Sequence, residues 1–89
     1  MARFEAAQCD TSTFMPSGNS ADALYELGLM YAAGREVNVD LVAAHKWLNI
    51  AASRGNLEAR RMRTELAAEM TRAEMLEAQK QARAWVQMH

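Results

Sequence analysis

The chain has 89 residues, of which 51 % are hydrophobic and 24 % charged, with a formal net charge of −1. That length supports one domain at most, and the composition excludes a disordered chain. The near-zero charge gives no overall footprint for a dedicated nucleic-acid or anionic-membrane binder; the single cysteine, Cys9, excludes an intramolecular disulfide and fits a reducing compartment. No apolar run is long enough to span a membrane, and the opening MARFEAAQCD lacks a signal-peptide core, so the expected location is the cytoplasm.

Residues 1–19 read as a partly irregular leader. CDTSTFMPSGNS is polar and turn-forming apart from Phe14 and Met15, which are expected to dock on the first helix pair. Ser20 is then an N-cap with Asp22 in the first turn, and Leu24, Leu27, Gly28 and Tyr31 recur at helical spacing. Gly34 is placed to end this helix in the left-handed conformation, and REVNV is the connection, with Val37 turned inward.

Asp40 caps a second helix whose apolar side is Leu41, Ala44, Trp47, Leu48, Ala51 and Ala52, ending at Gly55. Asn56 caps a third through Ala59, Met62, Leu66 and Met70. Thr71 and Glu74 in TRAE match a capping box opening a fourth helix, with Met75, Ala78, Ala82, Trp85 and Val86 on one side. Helices with such short connections are expected to fold back as antiparallel pairs. Gly28, which costs its helix roughly 1 kcal/mol of propensity, then has a purpose: a residue without a side chain lets the first two backbones approach, opposite Ala44, Ala51 and Ala52.

The positions Ala21, Ala23, Leu27, Gly28, Tyr31, Gly34, Val37, Asp40, Ala44, Trp47, Ala51, Ala52 and Gly55 together resemble a Sel1-like repeat. That family is a relative of the tetratricopeptide repeat, built from helix–loop–helix units of roughly 36 residues and sharing the L-G-x₂-Y element, here Leu27 to Tyr31. The resemblance covers 20–56. The family usually has a second loop glycine where this chain has Glu36, and often a lysine where it has Ala43. It implies an all-α fold, a short α-solenoid of about four helices in antiparallel pairs. Residues 20–56 form the full repeat and 57–89 a degenerate repeat or cap. It also implies a non-catalytic adaptor that binds a protein or peptide, with no chemistry in the repeat and no cofactor.

The residues offer little to set against that. Cys9 could serve as a nucleophile with His45 as its base, but nothing in the pattern brings them together; Cys9 reads as a free thiol in the leader and His45 as a surface residue. His45 and His89 lack metal-ligand spacing, and Glu74 and Glu77 read as a solvated face with Glu77 supporting Lys80. Residues 1–50 carry three basic and six acidic groups, whereas 51–89 carry seven basic and five acidic. Arg54, Arg60, Arg61 and Arg63 concentrate that positive charge, and the alternative function is a small nucleic-acid-associated regulator using them. Glu58, Glu65 and Glu69 interleave with the arginines, so an acidic protein surface is the better-matched partner and nucleic acid the weaker expectation. Seven methionines, among them Met30, Met62, Met70 and Met75, suit both core filling and an adaptable docking surface. Because repeat units need neighbours to bury their faces, Leu24, Met30, Leu41, Ile50, Trp85 and Val86 are expected to be covered by the leader, a partner protein or a homodimer mate.

Overall fold

The computed structural model describes residues 20–89, so the leader, with Cys9, Phe14 and Met15, lies outside the described residues. Four α-helices follow in order: α1 Ala21–Ala33, α2 Leu41–Ser53, α3 Leu57–Ala67 and α4 Arg72–Met88. There is no strand among the described residues.

The four starts are set by local chemistry. Ser20, Asp40, Asn56 and Thr71 hold extended backbone, and their side-chain oxygens accept from the N–H of Ala23, Ala43, Ala59 and Glu74 respectively. Each bond satisfies one of the orphan donors at a helix N-terminus and stabilises by about 1 kcal/mol. At Thr71 the box closes in both directions, because the Thr71 N–H donates to Glu74 Oε1 at 2.8 Å. The first helix ends at Gly34, which is left-handed (φ 74°), and the N–H groups of Gly34 and Arg35 both donate to the Met30 carbonyl. Asp40 N–H then donates to the Tyr31 carbonyl at 3.1 Å, so the loop comes back onto the helix it has just left. The third helix stops at Ala67, one turn earlier than the apolar spacing suggests, and Met70 packs against the core from the following turn.

Packing centres on α2, against which each of the other three helices is laid. The α1–α2 pair is antiparallel. Gly28 at mid-helix faces Ala44 and Leu48, while Asp22 near the start of α1 accepts from Asn56 Nδ2 just beyond the end of α2 (3.0 Å). A Cβ built on Gly28 would lie 2.8 Å from both Cγ and Cδ2 of Leu48 and 3.3 Å from the Ala44 carbonyl oxygen. The close approach is therefore real, but its opposing surface is Ala44 and Leu48 rather than Ala51 and Ala52.

The second half departs from a run of successive hairpins. Although only residues 68–71 join them, α3 and α4 pack mainly on α2, not on each other. Arg63 on α3 bonds Asn49 on α2, and Met75 and Gln79 of α4 lie beside His45 and Asn49, so α4 runs along α2 in the same direction. The core comprises Leu24 and Leu27 from α1, Ala44, Leu48, Ile50 and Ala51 from α2, Ala59 and Leu66 from α3, and Ala82 and Trp85 from α4. Trp47 closes it by meeting Trp85 edge-on, with ring centroids 5.4 Å apart and planes at 82°.

Candidate functional site

The motif positions that carry the repeat resemblance are occupied with structure. Leu27, Gly28, Ala44, Trp47 and Ala51 are buried, Ala23, Tyr31 and Ala52 half-buried; Gly34 and Asp40 shape the loop, and Gly55 (φ 103°) carries the turn into α3.

The residues expected to contact a partner differ in exposure. Trp85 is buried in the packing against Trp47, its ring stacked on His89 at 4.2 Å and approached by the Arg54 guanidinium at 5.3 Å. It is a core side chain, and its place among the partner contacts is corrected accordingly. Arg54 thus belongs to the end of α2, Arg61 pairs with Glu58 one turn earlier on α3, and Arg60 is exposed. Arg63 alone turns inward, half-buried, donating from Nη1 to Asn49 Oδ1 at 2.8 Å. Of the four arginines, Arg54, Arg60 and Arg61 are exposed and Arg63 is half-buried, so they do not present their guanidiniums to solvent alike. The carboxylates are likewise engaged: Glu74 in the cap, and Glu77 accepting from Gln81 Nε2 at 2.9 Å rather than supporting Lys80.

Two concavities flank α4 instead. The larger, of about 460 Å³, runs between α2 and α4 with Ile50, Ser53, Ala82, Arg83 and Val86 in its walls. Val86 is 47 % exposed and Leu76, ten residues earlier on α4, is 54 % exposed. Leu76, Gln79, Arg83 and Val86 follow the 3–4–3 spacing of one helical stripe, so α4 shows an edge with an apolar residue at each end and an amide and a cation between them beside this groove. Sequence reasoning marked Ile50 and Val86 as apolar surface needing cover but overlooked Arg83. The stripe itself was legible as the second face of α4, adjacent to the Trp85 face.

The smaller concavity, of about 320 Å³, opens between α3 and α4 over α2, lined by His45, Asn49, Arg63, Thr64, Met75 and Gln79. His45 is 2 % exposed, not a surface residue, and its Nδ1 has no hydrogen-bond partner. Burial holds its pKa below the ordinary 6.5, and the nearby Arg63 charge pushes it further the same way, so the ring is neutral at pH 7. The signal for its burial was present in the spacing, since Leu41, His45, Leu48 and Ala52 fall on one stripe of α2. Asn49 and Gln79 contribute to both concavities, which therefore meet at the α2–α4 contact.

Among the described residues no helix is long and apolar enough to cross a membrane. No family model, curated protein or solved structure matches the chain.

Proposed function

We propose that the chain is a non-catalytic protein–protein interaction module, a Sel1-like helix pair extended by two further helices, that takes an amphipathic partner helix in the groove between α2 and α4. The observation that carries this reading is the groove itself. Its floor and wall are apolar through Ile50, Ala82 and Val86, its length is extended by exposed Leu76, and its one charged wall residue is Arg83. A helix with an aliphatic stripe and an acidic residue at its edge complements that surface in shape and charge. The repeat resemblance finds support in the loop, where Glu36 carries φ 66° at the position for which the family uses glycine. A second copy of the chain is the less favoured occupant, because Leu24 and Trp85, two of the six residues of the face that called for one, are buried by their own chain and do not line this groove.

Panning a displayed library of amphipathic helices against the full chain tests the proposal. The expected binders share an aliphatic stripe with an Asp or Glu beside it, and Val86→Glu and Arg83→Glu each weaken them about tenfold or more. Binders that are indifferent to both substitutions would place recognition elsewhere and overturn the assignment of the groove.

A further inference from the structure

The cleft between α3 and α4 is more polar than the neighbouring groove. We infer that this cleft is a binding site for a carboxylate, gripped by Arg63 with His45 in the wall beside it. The guanidinium is already oriented, because Asn49 Oδ1 takes one of its five N–H donors and fixes the side chain between α3 and α2. His45, in the wall of the cleft, is buried with its Nδ1 left without a hydrogen-bond partner, an arrangement that disfavours the fold until that nitrogen is paired. Thr64 and Gln79 add a hydroxyl and an amide to the same walls, and none of the residues lining the cleft is acidic. An incoming anion therefore meets no like charge.

The class of anion follows from the count of cations. A half-buried phosphate, with nearly two negative charges and three or more acceptor oxygens, calls for more than one guanidinium; a carboxylate is matched by a single planar fork. Cationic ligands are opposed by Arg63, the only charged residue in the lining. A carboxylate reaches such a site either on a free small acid or on a peptide, and the cleft offers the same donors to both.

The test uses the full chain, isotopically labelled, with NMR observation of the His45 ring and the Arg63 guanidinium. Titrants are glutarate, inorganic phosphate, sodium chloride at matched ionic strength, and a capped short peptide with one central Glu. Saturable shifts at both side chains with glutarate or the peptide, absent with chloride and weaker with phosphate, support the site. Tighter binding of the peptide than of glutarate, by about tenfold, identifies a peptide carboxylate as the source; the reverse order identifies a free acid. Arg63→Gln should abolish saturation. Arg63→Lys, which keeps the charge but loses the fork, should weaken it about tenfold while preserving the fold. Shifts that fail to saturate, that chloride reproduces, that phosphate exceeds, or that survive Arg63→Gln overturn the proposal. The readout is taken at His45 and Arg63, which line the α3–α4 cleft and not the α2–α4 groove, so loss of groove binding in a Val86→Glu chain is distinguished from loss of the carboxylate site.

Discussion

Gly28 stands three residues before Tyr31 and Glu36 five after it, and both are decided by a single carbon atom. At Gly28 the absent Cβ is what allows α1 to lie on α2, for Leu48 beneath it is fully buried and has no room to withdraw. Gly28→Leu is expected to destabilise by ~1–3 kcal/mol or more, since the overpacking exceeds the roughly 1 kcal/mol gained in helix propensity. Thermal unfolding of the two chains side by side checks this, and an unchanged midpoint would remove the close-approach explanation. Glu36 is the opposite case, a side-chain-bearing residue held at φ 66°. The left-handed conformation costs an L-residue about 1–2 kcal/mol, partly offset against glycine by glycine's larger loss of freedom on folding. Glu36→Gly should therefore stabilise by about 0.5–1 kcal/mol in urea denaturation. A loss of stability would mean that the glutamate side chain compensates for its backbone.

At the scale of elements, the fourth helix is held by its first turn and by one aromatic residue near its end. Thr71→Ala removes the forward half of the capping box and should cost about 1 kcal/mol, measurable as a lower urea midpoint. Trp85 carries the docking itself, between Trp47, Arg54 and His89. A double-mutant cycle of Trp47→Leu and Trp85→Leu is expected to show a coupling of about 0.5–1.5 kcal/mol, and strictly additive losses would argue against a direct ring contact. Helix boundaries of this kind were legible in the sequence because they are local. Ser20, Gly34, Asp40, Asn56, Thr71 and Glu74 act on backbone groups within a few residues of themselves. The choice of neighbours was not legible. Periodicity shows that Ala78, Ala82 and Trp85 share a face, but not that the face turns to α2 instead of α3, because that depends on how Trp47 and Ile50 fill the space across from it. The same ignorance of neighbours placed Trp85 at a partner surface and His45 in solvent.

Over the whole molecule, His45 couples the state of one ring to the stability of every helix that covers it. Its pKa is lowered in the folded chain by burial and by Arg63, while the unfolded chain protonates near the ordinary 6.5. As pH falls through that value, the unfolded state takes up the proton first. In the interval down to the lower folded-state pKa the unfolded chain binds more protons, so stability declines with acidification and is full above about pH 6.5. The urea midpoint should therefore drop as pH falls through about 6.5, and His45→Gln should flatten that dependence even where it lowers stability at neutral pH. Parallel losses in the two chains would assign the acid sensitivity to other groups. If the cleft holds a carboxylate, saturating glutarate should blunt the same decline, since an anion beside the ring offsets the repulsion from Arg63 and favours the protonated imidazole in the folded state. The pH series with and without glutarate thus reads both effects at once: a ring buried without a partner disfavours the fold, and an anion bound beside it restores stability in the acidic range.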